Sequence, residues 1–269
     1  MKTQISLYDD FKKVVNFFSQ QLKFDKFKNT IGRKLAVAIE EIIALFLFKQ
    51  SNHIATKKSI YKIFENNLNC SYKTLVVNMN RWAHLAAVIL MLIMKMNRHH
   101  QHIVKHIDST DIPVCLFKNA HRHKTMKGLA AFGRSSKGTF FGLKLHIVTD
   151  LKRKLLSLKF TSGNVDDREV VFDLTDEIIG YLIADAGYIK KELQRKYYQE
   201  NRRIMIAKPR ANMKKLMTKF EETLYKTRML IELNFRNLKM FYGLVTSLPR
   251  SVDGYLANYI YSLLAYQIA

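Results

Sequence analysis

Acidic residues are scarce in this chain. It has 22 Asp and Glu against 45 Lys and Arg, a formal net charge of +23 over 269 residues. That balance disfavours basic partners and favours polyanions: DNA, RNA or an anionic membrane surface. A coding bias toward Lys, Asn and Ile would raise lysine, but it would raise the acids too. Cysteine is almost missing. Cys70 and Cys115 are too few for a disulfide framework, and a reducing cytoplasm fits. Three prolines argue against a disordered linker. No long apolar run occurs: the longest, Leu85 to Met94, has ten residues, where a membrane span needs about 20. It therefore reads as a buried helix, and no membrane partner is expected. The N-terminal MKTQISLYDDFKKVV has no signal-peptide apolar region, so the expected location is cytoplasmic and close to the nucleoid.

What is present divides near residue 100. Residues 1–100 read as an all-helical N-terminal domain. AVAIEEIIALFLF (36–48) and RWAHLAAVILMLIMKM (81–96) are long, apolar and free of Gly and Pro. Between them, Thr56 is placed to cap a short helix ending at Phe64, and Ser71 to cap the next. Two short helices before a longer one suit a helix-turn-helix, and a plain helical bundle equally well. From Asn66 to Ile107 there is no acid, while Lys73, Arg81, Lys95, Arg98 and Lys105 add charge, a composition suggestive of DNA contact.

Residues 101–269 read as an α/β domain with five strands. IVKHIDST (103–110) is the first. TFFGLKLHIVTD (139–150) and KLLSLKFTS (154–162) form a hairpin across the turn at 151–153. Phe141, Leu143, Leu145 and Ile147 share one face of it, with Lys144 and His146 on the other. DREVVFDLTDEII (167–179) follows as a helix, then the strand YLIADAGY (181–188), a helix from Lys190, the strand RIMIAKPR (203–210) and a final long helix over about 221–241.

Three acids stand out. Asp108 lies within the first strand, Asp185 ends the fourth, and Glu232 projects from the long helix. An acid in an apolar strand is costly to bury unless paired or metal-bound. The first and fourth strands are expected to be neighbours, which would bring Asp108 and Asp185 together. Three hard oxygen donors in a basic setting suit Mg²⁺ or Mn²⁺. Two such ions about 4 Å apart would serve both attacking and leaving oxygens at phosphorus.

On the long helix, Tyr225, Arg228, Glu232, Arg236 and Lys239 fall within an arc of about 80°. Leu224, Ile231, Phe235 and Leu238 form an apolar stripe beside it. Arg and Lys there are suited to hold a DNA backbone. Taken alone, Glu232 between Arg228 and Arg236 is an ordinary i±4 ion pair. His146 is either close to the site or a surface residue. Asp166 and Asp167, in a turn, are candidate helix caps or site acids. Six histidines (99, 100, 102, 106, 121 and 123) with Cys115 match no closed four-ligand zinc spacing, so DNA-facing or solvated histidines are expected.

The series Asp108, Asp185, Glu232 on strand, strand and helix resembles the catalytic triad of DDE transposases with an RNase H-like fold. Tyr225, Arg228, Glu232 and Lys239 resemble the Y-R-E-K signature of bacterial insertion-sequence transposases. HIDSTDIPVCLFKNAHRHK with FFGLKLHIVTD, GNVDDRE and IADAGY is most similar to the insertion-sequence-982 family. Over residues ~103–245 the resemblance implies an RNase H-like mixed sheet flanked by helices. It implies divalent-metal catalysis with Asp108, Asp185 and Glu232 as ligands. It also implies water attack at the element's ends and strand transfer of the freed 3′-hydroxyl into target DNA. Terminal inverted repeats and target DNA would be the partners, held by a dimer during synapsis. Two alternatives stay open at this point: a metal-dependent nuclease on the same fold, and an inactive or domesticated relative that only binds DNA. Arg236 lies outside the signature.

Overall fold

The computed structural model describes residues 4–27, 34–135, 137–201, 203–209 and 216–269. The chain forms two compact units, Met1–Leu92 with Leu238–Ala269, and Ile93–Asn237.

The first unit is helical. It contains α1 (Gln4–Leu22), α2 (Ile39–Ser51), α3 (Lys57–Phe64), α4 (Tyr72–Arg81), most of α5 (Ala83–His99) and the last helix, α10 (Val252–Ile268). Thr56 and Ser71 cap α3 and α4 as expected. Each hydroxyl accepts from the amide three residues on, Ser59 at 3.0 Å and Thr74 at 3.2 Å, filling an amide that has no partner within the helix. Ser251 does the same for α10. Helix α2 is buried almost all round, the signature of a central helix. Phe46 on α2 stacks on Tyr261 of α10 at 4.2 Å. Gln50 donates to Asn258 Oδ1 and Ser262 Oγ, so the buried amide is satisfied. The units therefore do not follow a division at residue 100: the C-terminal helix packs with the N-terminal ones. No single helix among the described residues is long and apolar enough to cross a membrane.

The second unit carries the sheet: β1 (Val104–Pro113), β2 (Ala131–Ser135), β3 (Gly138–Asp150), β4 (Leu155–Ser162), β5 (Tyr181–Ala184) and β6 (Ile204–Ala207). Strand β3 is the hub. Along one edge it pairs antiparallel with β1; its other edge takes β2 over its first residues and β4 beyond them. β1 then pairs parallel with β5, and β5 with β6. This mixed sheet with flanking helices is the RNase H-like architecture. It has six strands where five were expected. Ala131–Ser135 was missed because AFGRS is short, holds a glycine and has no apolar alternation.

Two helices also differ from expectation, while a third falls where it was expected. The helix expected over 167–179 shrinks to α6 (Val171–Thr175); Asp166 folds onto Arg168 and holds the preceding residues in a turn. The helix from Lys190 is α7 (Lys191–Asn201). The single helix expected over 221–241 is two, α8 (Lys219–Lys226) and α9 (Met229–Met240). At the joint, the amides of Thr227, Arg228, Leu230 and Ile231 all bond three residues back, not four. Thr227 Oγ1 donates to the Leu224 carbonyl at 2.6 Å and lies 2.7 Å from His106 Nε2. A hydroxyl competing for a helix carbonyl, anchored from outside, breaks the run. The fourth strand stops at Ala184, and Ala186–Tyr188 makes a 3₁₀ turn. Residue 210, at the end of the last expected strand, lies outside the described residues.

Candidate active site

The β1–β5 pairing places the first two acids. His106 faces Ile183 across this parallel pair, and two residues further along each strand stand Asp108 and Asp185. Side-chain alternation sends both to the same face, the face on which Val104, Ile183 and Ile206 pack against Leu224 and Tyr225. Asp108 accepts from the Ser109 amide at 2.8 Å and from Arg228 Nη2 at 2.7 Å. Burial pushes its carboxyl up to about 6. Arg228 and the Ser109 amide pull it down, while the charges of Asp185 and Asp167 push it up further.

Glu232 is on the first turn of α9. Its Oε1 accepts from Arg228 Nη1 at 2.5 Å, and its side chain is 59% exposed. One guanidinium therefore bridges a buried strand acid and an exposed helix acid. The five-residue face expected over 225–239 is divided by the joint: Tyr225 ends on α8, Arg228 sits in the joint, and Glu232, Arg236 and Lys239 lie on α9. Arg236 is exposed, and Lys239 is in the last turn. Tyr225 is half-buried against the Ile183 cluster. Desolvation raises its phenol, the Arg228 charge opposing and Asp185 and Asp108 adding to it. Of the expected apolar stripe, Ile231, Phe235 and Leu238 are buried.

The opposite face of β1 holds a second polar network. Ser109 Oγ donates to Asp167 Oδ2 at 2.9 Å, and Lys144 Nζ donates to Asp167 Oδ1 at 3.0 Å. Lys144 also donates to the Val165 carbonyl. His146 lies directly across from Ser109 and is fully buried, so a surface role is corrected. Its Nε2 is 2.8 Å from Thr161 Oγ1, and its Nδ1 is 3.8 Å from Asp167. Burial drives the imidazole down to about 4, although Asp167 opposes this. Alternation separated the two hairpin faces correctly, but the Lys144/His146 face is covered by the turn carrying Asp167. Ser109 and Asp167 are the members that sequence reasoning undervalued; the adjacent acids in GNVDDRE were the signal. Neither Asp166 nor Asp167 caps a helix: Asp166 is paired with Arg168 at 2.5 Å.

The donor chemistry here fits a divalent cation. Asp108 is mostly buried, with the charges of Asp185 and Asp167 close enough to act on it, and the carboxylates offer hard oxygen donors. As the side chains stand, no three His, Cys, Asp or Glu among the described residues are grouped to hold one ion, and the Glu232 carboxylate is turned onto Arg228. His99, His100, His102 and His121 are exposed. His106 is instead fully buried, bonded to Thr227 and pushed down to about 4 by burial, with the Arg228 charge adding to the shift.

A family model described as "Transposase DDE domain" matches residues 98–251, more than half of the chain and a span that includes Asp108, Asp185 and Glu232. No curated protein matches the chain. From the sheet order, the acids on its strands and this match, it follows that the chain belongs to the transposase DDE domain family.

Proposed function

We propose that this protein is a DNA transposase of insertion-sequence type, cutting at the element's ends and joining the freed 3′-hydroxyl to target DNA. The observation that carries this reading is the convergence of Asp108 and Asp185 on parallel neighbouring strands, with Arg228 tying Glu232 to Asp108. Asp108, Asp185 and Glu232 are the residues that would hold Mg²⁺ or Mn²⁺. When bound, such ions stabilise negative charge on the attacking and leaving oxygens at phosphorus.

The chain's own residues do the rest. Asp108, held by the Ser109 amide, presents one carboxylate to the site. Arg228 keeps the acids' charges compensated in the free protein. With Lys239 and Arg236 on α9, it is suited to contact DNA phosphates, with Tyr225 at their side. Ser109, Lys144, Asp167 and His146 hold β1 from behind. In the reaction, water attacks the phosphodiester at the element's end, breaking the bond to the 3′ oxygen. The 3′-hydroxyl so released then attacks a target phosphodiester, displacing its 3′ oxygen; one bond forms and one breaks in each step.

The Y-R-E-K spacing and the four ordered motifs support an insertion-sequence-982-like enzyme. The helical region within residues 1–100, with its acid-free stretch, is read as the recognition domain for the terminal inverted repeats, and the sheet-bearing unit, Ile93–Asn237, as the catalytic region. Joining two ends calls for a homodimer on DNA.

The test is a strand-transfer assay on labelled repeat-end DNA with Mg²⁺. Wild-type protein should cut and join. Asp108→Ala, Asp185→Ala and Glu232→Ala should each lose on the order of a hundredfold to a thousandfold or more while keeping the folded circular-dichroism signal. Cutting without joining identifies a nuclease, and binding without cutting a DNA-binding protein. Full activity in the three variants would remove the site assignment.

A further inference from the structure

The helical unit contains a cavity of about 390 Å³ whose lining includes Lys49, Lys57 and Arg250 but no Asp or Glu. We propose that this cavity binds the 5′-phosphate of a nucleotide, either free or at the end of a DNA strand. Its lining includes none of the acids of the sheet, and nothing in the proposal depends on them.

The first argument is uncompensated charge. Lys49 is only 6% exposed. Its ammonium donates to Gln50 Oε1 at 2.9 Å, and that of Lys57 to Asn80 Oδ1 at 2.5 Å. Both partners are neutral amides, and among the described residues neither lysine has a carboxylate partner. The two ammonium groups lie 5.5 and 5.2 Å from the centre of one ring, Phe46. Such contacts return less than the cost of holding two like charges, one buried and one half-buried, together without a counter-ion. Burial accordingly pushes both lysines down to about 8, with the charge of Lys57 adding to the shift of Lys49. An anion between them would offset that cost.

The second argument is where helices begin. The cavity is lined by Thr56 and Lys57 at the start of α3, Tyr72 at the start of α4, and Ser251 and Gly254 at the start of α10. Helices α3 and α10 begin at this space and add partial positive charge to the cations, while α4 lines it along one face through Tyr72, Val76 and Asn80. The third argument is shape. The same cavity has an apolar wall that includes Phe46 and Leu248, room for a base and sugar beyond the phosphate. A bare inorganic anion would leave that wall wet.

Calorimetry on the full-length protein tests this with three probes: a deoxynucleoside 5′-monophosphate, inorganic phosphate, and a short duplex made with or without 5′-phosphates. The monophosphate should bind more tightly than inorganic phosphate. Lys49→Met and Lys57→Met should each weaken it about tenfold, as expected for one charged hydrogen bond. Arg250→Gln, at an exposed position, gives a second reading that does not depend on refilling a buried site; it too should weaken the monophosphate. If the phosphorylated duplex displaces the monophosphate, the source is a strand end; if it does not, the source is the free nucleotide. Equal displacement by the unphosphorylated duplex would overturn the monoester assignment. So would absence of monophosphate binding, or binding unchanged in all three variants.

Discussion

Arg228 donates to Asp108 across 2.7 Å, from a joint between two helices to a buried strand. Both side chains keep about a sixth of their surface in water. Removing the guanidinium leaves a mostly buried carboxylate without its main counter-charge. Arg228→Gln should therefore lower stability at neutral pH by about 2–3 kcal/mol, toward the low end for buried pairs because of that residual solvent contact. Adding Asp108→Asn should recover most of the loss. Urea denaturation of the two single variants and the double variant measures the coupling; simple additivity would mean that the pair contributes nothing.

Two buried imidazoles set an acid limit on stability. His106 and His146 are each pushed from about 6.5 down to about 4. The unfolded chain therefore takes up protons first as pH falls. Their contribution is fully present above about 6.5 and is lost between there and about 4, by at most about 3 kcal/mol apiece. Asp108, raised to about 6, works in the opposite direction over part of the window. Denaturation midpoints at pH 7.5, 6 and 5 should fall for the wild type and fall less steeply for His146→Gln. Parallel profiles would contradict the assignment.

Two glycines bring backbones together behind the site. A Cβ on Gly142 would lie 2.1 Å from the Ile112 carbonyl oxygen, and one on Gly133 2.3 Å from that of Gly163. Gly142→Ala should cost about 2–4 kcal/mol, since strands rather than a flexible side chain must move. Gly128 has a positive φ but open space around it, so Gly128→Ala should cost only about 1 kcal/mol. Thermal melts of the two variants test the ranking.

Thr227 places Arg228. Its hydroxyl bonds His106 and the Leu224 carbonyl, keeping α8 and α9 apart. Thr227→Val should cost about 1–3 kcal/mol through the unpaired imidazole. It should also reduce strand transfer more than a comparably destabilising core change, because the helices are freer to run together and draw Arg228 off Asp108. Thr227→Ser should restore both. Activity that merely tracks stability would assign Thr227 to packing alone.

Much of this was written locally in the chain. The caps at Thr56 and Ser71 follow from hydroxyl chemistry within three residues, and Asp108 and Asp185 stood out as acids in apolar strands. The helix joint was hidden because the i, i+3, i+4 pattern continues undisturbed through Thr227; its cause is His106, far away in sequence. His146 reads as either site-facing or surface because alternation separates two faces without saying which one is covered. The cation cavity is assembled from residues near 46–57, 72–80 and 246–258, and no local pattern announces it.

The parallel pairing of β1 with β5 also orders events in time. Parallel neighbours cannot be joined by a tight turn, and contacts so distant in sequence are slow to form. As the chain leaves the ribosome, Asp108 emerges long before Asp185, and Glu232 later still. A nascent or prematurely ended chain therefore holds its acids as isolated side chains. On the proposed function, cutting would be withheld until most of the polypeptide exists.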